Sequence, residues 1–272
     1  MKELDISTKD CIIERDENVL IVTLNRPEAK NAFSPEMLLG MYKAWRLLDE
    51  SDSLRCAILT ANGNTFCAGM DLKAGAEGNQ RSTDEFMALM ADVPNIHWQA
   101  LLREDRPNKP LILAVEGYAL AGGTEILQGT DIRIAAEDAI FGITEVARGL
   151  YPMSGSTVRL RRQIPYCLAA EMLLCGEHFS AQQALEFGLV NRVVAPGTTL
   201  AVAREFAEKI CANGPLAVAA VTRSLREHQE CMSEADAMTA SDQLAGPVFA
   251  SADAKEGMRA FKEKRAAVFA GS

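Results

Sequence analysis

Apolar and polar positions along this chain repeat with two different periods, and the changes of period mark its elements. The run VLIVTL (19–24) is compact and rich in β-branched residues, and the turn-prone NRPEAKNAF closes it. Ser34 and Pro35 then supply an N-cap and a first-turn proline, and Leu38, Met41, Trp45 and Leu48 follow at helical spacing, which predicts a helix. CAILTA (56–61) predicts a strand stopped by Asn62-Gly63, and LILAV (111–115) predicts another. AGGTEILQG reads as a loop entering a short helix, and DIRIAAEDAIFGI predicts two strands around Glu137-Asp138. From residue 156 the pattern turns helical. Ser180 opens and Gly188 closes one helix, Asn213-Gly214-Pro215 separates two more, and DAKEGMRAFKEKR (253–265) is a charged amphipathic tail with Met258 and Phe261 on one side. The order predicts an α/β protein with a sheet-containing core over 1–195 and a helical C-terminal part over 196–272.

Composition narrows what such a fold does. The 272 residues are 48% hydrophobic and 24% charged, enough for one sizeable core. A formal net charge of -9 argues against a nucleic-acid partner, because that affinity comes from clustered Lys and Arg. The local cluster RLRR (159–162) reads as a solvated structural face. MKELDISTKD has neither a basic start followed by an apolar run nor an Arg-rich amphipathic pattern, and no stretch approaches 18 apolar residues, so no leader or membrane span is expected. Seven widely spaced cysteines without a CxxC pair read as reduced, buried thiols of a cytoplasmic protein. Three scattered histidines and no HExxH predict no metal site.

Two glycine-marked segments carry chemistry. In AGGTEILQGTDI the pair Gly122-Gly123 strips two side chains from the backbone directly before a carboxylate, Glu125. In FCAGMDLK (66–73), after a strand, Gly69 allows a sharp turn that presents the Met70 N–H, and the Gly122 N–H lies near a helix start. Two such donors make an oxyanion hole, and losing one typically costs about 3–4 kcal/mol of transition-state stabilisation. Glu125 beside Ile126 and Leu127, and a second carboxylate, Glu145, beside Val146, are placed for partial desolvation and acid–base work. Cys67 serves no covalent step and reads as packing. Trp98, Met87 and Met90 read as core, with an acyl-pocket wall as the alternative.

Three segments, FCAGMDLK, EGYALAGGTEILQGTDIRIA (116–135) and FGITEVARGLYP (141–152), stand in an order and spacing that resembles the enoyl-CoA hydratases of the crotonase superfamily, over residues 12 to 270. The resemblance implies a spiral of repeated ββα units with a helical C-terminal trimerisation part, and a homotrimer or a hexamer of two trimers. It implies that the N–H groups of Met70 and Gly122 hold a thioester oxygen, that Glu125 activates water and that Glu145 protonates C2. It further implies coenzyme A along Arg26, Ala68, Asp71, Leu72 and Lys73, with Phe261 and Lys264 of the tail reaching it from a neighbouring subunit. No cofactor is implied, since coenzyme A belongs to the substrate. An isomerase or other enolate-stabilising relative is the alternative, then a non-catalytic scaffold or RNA-binding relative, since fold alone does not fix chemistry. Where many hydratases read PGAGG, this chain reads PMSGS (152–156), so water placement and acyl shape are expected to differ. AGGTEILQGTDIRIA and LYPMSGSTVRLRRQIPY are similar to an actinobacterial branch that includes enzymes acting on steroid side-chain thioesters. That implies a bulky acyl group, selected by the segment between Lys73 and Pro110, where Gly75, Gly78 and Asn79 suggest a mobile loop.

Overall fold

The computed structural model describes residues 1–71, 84–93, 95–227 and 243–272. The expected strands form where the pattern places them: VLIVTL is β3 (Val19–Leu24), CAILTA is β4 (Cys56–Ala61) and LILAV is β6 (Leu111–Val115). DIRIAAEDAIFGI divides into β8 (Ile132–Ala136) and β9 (Ile140–Gly142). The expected helix runs Pro35–Glu50, its Ser34 cap accepting from the Met37 N–H at 3.1 Å, and its apolar stripe buries Trp45, whose indole N–H donates to the Ala100 carbonyl at 2.9 Å.

Six strands escaped the pattern: β1 (Lys2–Glu3), β2 (Cys11–Asp16), β5 (Thr65–Cys67), β7 (Tyr118–Leu120), β10 (Phe179–Ser180) and β11 (Arg192–Val194). Five hold only two or three residues, too few for a period of two to register. In β2, CIIERD, an apolar start and a charged end hide the alternation that buries Cys11 and Ile13.

A large sheet runs β1-β2-β3-β4-β6-β8-β11, parallel from β3 onward, and a small sheet runs β10-β9-β7-β5, with β5, β7 and β9 parallel. From β4 to β9 the chain alternates between them, one strand in each, and then crosses over through helix or turn. This is the spiral of ββα units that the resemblance implies. Parallel neighbours require such crossovers, and both faces of the sheet are covered, which explains the nearly unbroken apolar runs of β3, β4 and β6.

The C-terminal half is helical as expected. Ser180 forms a capping box with Gln183 at the start of Ala181–Glu186, and Pro215 opens Pro215–Glu227 after Thr199–Cys211. The helix Thr199–Cys211 lies against the large sheet, where Ala203 and Ala207 pack with Cys56, Ile58, Ile112 and Ile134. No helix of the described residues is long and apolar enough to cross a membrane.

Three expectations need correction. Cys167 and Cys175 are exposed rather than buried, because Tyr166–Cys175 turns much of its surface outward. Met87 and Met90 are 56% and 42% exposed and belong to no core. In RLRR only Arg161 and Arg162 face solvent, for Leu160 is buried and Arg159 donates to the Leu102 and Arg103 carbonyls at 2.6 and 2.8 Å.

Candidate active site

The site grows from the ends of three adjacent parallel strands, β5, β7 and β9. After β5 the chain turns at Gly69, whose φ of +89° favours glycine. The turn is fixed by Ala68 N–H to the Lys30 carbonyl at 3.0 Å and Phe33 N–H to the Gly69 carbonyl at 2.8 Å. After β7 the chain enters the short helix Gly122–Glu125 through Ala121, a non-glycine at φ 52°, held by its N–H on the Gly142 carbonyl at 2.7 Å. The two turns touch: a Cβ on Gly69 would stand 2.9 Å from that of Ala121 and 3.1 Å from the Gly122 nitrogen. Gly123 is required for a different reason, since its Cβ would fall 2.3 Å from the Cys67 carbonyl oxygen.

Met70 and Gly122 are thereby brought together. Neither N–H donates a hydrogen bond among the described residues, and at Gly122 this follows from its place as the first residue of a helix. Both line a cavity of about 530 Å³ whose wall also holds Glu125 and Glu145. Leu101, Leu120, Leu150, Tyr151, Met153 and Trp98 give it an apolar surface, and Lys30, His97 and Arg148 add polar heads.

The two carboxylates sit differently. Glu125 is 2% exposed, and its two oxygens accept from the N–H groups of Ser154 and Ser156, each at 3.2 Å. Glu145, reached beyond the end of β9, has a buried Oε2 with no hydrogen-bond partner among the described residues. Burial first, and the negative charge of Glu125 second, push its carboxyl up to about 7. One carboxylate is thus held by two backbone donors, and the other keeps its proton to near neutrality. Cys67 is fully buried, its thiol pushed up to about 12 by that burial, as befits packing.

Comparison with known proteins shows the family of the chain. A model of the family described as enoyl-CoA hydratase/isomerase matches residues 14–272. The chain belongs to that family. It is 53% identical to enoyl-CoA hydratase EchA19 of Mycobacterium tuberculosis over 97% of each chain, and 36% identical to 2,3-dehydroadipyl-CoA hydratase of Escherichia coli over 96% of this chain and 99% of that one. Its fold matches the crystal structure of an enoyl-CoA hydratase from Mycobacterium tuberculosis with a TM-score of 0.87 and 43% identity, over 97% of this chain and 100% of that one.

Not every residue that the family resemblance suggests reaches the cavity. Met70, Ala68, Gly122, Glu125 and Glu145 line it. Arg26 and Asp71 do not; they pair with each other at 2.8 Å. Leu72 and Lys73, with Gly75, Gly78 and Asn79, lie outside the described residues. Phe261 lies in the helix Ala252–Glu263, and exposed Lys264 follows it. Sequence reasoning missed Lys30, His97 and Arg148. Lys30 sits in a run read as a turn, has a left-handed φ of 53° and lines the cavity. Trp98 is both things weighed for it, packed against the core and lining the cavity, with the Arg103 guanidinium 4.5 Å above its ring.

Proposed function

We propose that this protein adds water across the 2,3 double bond of a 2-enoyl-CoA thioester to give a 3-hydroxyacyl-CoA. One observation carries the reading: two carboxylates in different surroundings face the same cavity as two N–H groups without partners among the described residues. The thioester oxygen accepts from Met70 and Gly122, so charge that develops there meets preorganised donors. Glu125 takes a proton from water as its oxygen bonds to C3 and the double bond opens. The enolate-like intermediate then takes a proton from Glu145 at C2, and a proton passed between the neighbouring carboxyls restores the starting state. No cofactor enters these steps.

Coenzyme A is assigned to the side of the cavity marked by Ala68 and Lys30, with Arg26, Asp71, Leu72 and Lys73 along its path and Phe261 and Lys264 approaching from another copy. The region 196–272 is assigned to contacts between copies in a trimer or a dimer of trimers, with the helix Thr199–Cys211 also serving the sheet core, and the location is assigned to the cytoplasm. The apolar wall supports a bulky acyl group, of fatty or steroid side-chain type. The test is incubation with enoyl-CoA thioesters of graded length, crotonyl-CoA first, following loss of the conjugated-thioester absorbance. A product heavier by one water supports hydration. An isomer of unchanged mass points to isomerase chemistry, and no turnover at any length defeats both.

A further inference from the structure

The departure PMSGS places a hydroxyl at Ser156, where the PGAGG segment of many hydratases ends in glycine, and the structure gives that hydroxyl a partner. Ser156 is fully buried, and its Oγ accepts from the Gln128 amide at 2.7 Å. Gln128 is also fully buried and lies three residues beyond Glu125, in the 3-10 turn Ile126–Gly129. Its backbone carbonyl accepts from the Gln163 amide at 2.9 Å, and the Gln163 Oε1 accepts from Arg133 at 2.9 Å. The chain therefore closes a ring: Glu125 leads along the backbone to Gln128, Gln128 holds the Ser156 side chain, and the Ser156 N–H returns to Glu125 Oε1 at 3.2 Å.

Two features make this ring more than packing. Ser156 begins the helix Ser156–Gln163, whose cap position is Gly155 at φ 112° with no side-chain cap, so the start of that helix lacks the usual restraint. In addition, Gln128 Oε1 is buried with no partner among the described residues, an expense in stability that an apolar side chain would avoid. We infer that Gln128 and Ser156 are a positioning pair that aims the Ser156 N–H at Glu125 and so holds this carboxylate against the reacting water. The inference rests on the hydratase reading, and it deepens the role of Glu125 without adding a group that touches substrate.

The experiment compares the parent with Gln128→Met, which keeps length and removes the amide, Ser156→Ala, and the double variant. Turnover of one enoyl-CoA and melting temperature are measured together. Each single variant is expected to lower kcat about 5- to 10-fold, the scale of one hydrogen bond, with KM within about 2-fold of the parent. The double variant leaves no polar group of the pair unsatisfied. Its melting temperature is expected to return toward that of the parent, while kcat stays low. Recovery of kcat together with melting temperature would reduce the pair to packing and overturn the inference. Parent-like kcat in all three variants, or a rise in KM alone, overturns it as well. A parent inactive on every enoyl-CoA removes the hydratase reading and this one with it, whereas an active parent isolates the question of the pair.

Discussion

At Glu145, burial and the nearby charge of Glu125 act in one direction, and both favour the protonated carboxyl up to about pH 7. A proton donor with that property implies a hydration rate that falls as pH rises through about 7, which a kcat profile measures. The same shift enters stability. Because the folded value exceeds the ordinary carboxylate value of 4.5, the folded state holds the extra proton, so stability is fully present below about 4.5 and declines as pH rises through about 7. Glu145→Gln is therefore expected to lose activity yet melt above the parent at pH 8 and level with it at pH 5; equal melting at both values would contradict the burial argument. In turnover, Glu125→Gln and Glu145→Gln are each expected to cost at least about 100-fold in kcat with substrate binding retained. Near-parent turnover in either variant removes that residue from the acid–base pair.

Among the elements, the turns after β5 and β7 carry the proposed oxyanion donors. Gly122 is the first residue of its helix, a position where proline is tolerated, so Gly122→Pro deletes one donor at the place in a helix least harmed by it. Circular dichroism should show a retained fold, while kcat falls on the order of 100-fold or more. Full activity in the folded variant would exclude the Gly122 N–H from the site. These turns also show what can be read along a chain. The Gly69 turn was legible because a positive φ is a local demand, whereas the need for Gly123, pressed against the Cys67 carbonyl, shows only in the fold. Strands β5 and β7, which hold the turns side by side, were not legible, because three residues carry no period.

For the whole molecule, the relation of cavity to acyl group sets the specificity expected. An apolar wall formed by Leu150, Tyr151 and Met153 with Trp98 rewards a large acyl group, at about 0.8 kcal/mol for each methylene buried. A long or steroid-side-chain enoyl-CoA is thus expected to show a higher kcat/KM than crotonyl-CoA on one preparation; the opposite order would dismiss the bulky-substrate reading and leave hydration standing. Light scattering is expected to give three or six chains per particle, and a monomer would remove the assignment of Phe261 and Lys264 to a neighbour's coenzyme A.

By itself the sequence determined the apolar strands β3, β4 and β6 and the helices capped by Ser34 and Ser180, since each depends on interactions within a few residues: apolar period, turn chemistry, a capping hydroxyl. Only the tertiary structure decided which of these meet. It set three strand ends side by side in the small sheet, so that Met70, Gly122, Glu125 and Glu145 share one cavity, and it turned Arg26 toward Asp71 instead. It also gave two glutamates of the same chemistry different surroundings. Burial and the charge of a neighbour act through space, and the sequence records neither distance nor solvent.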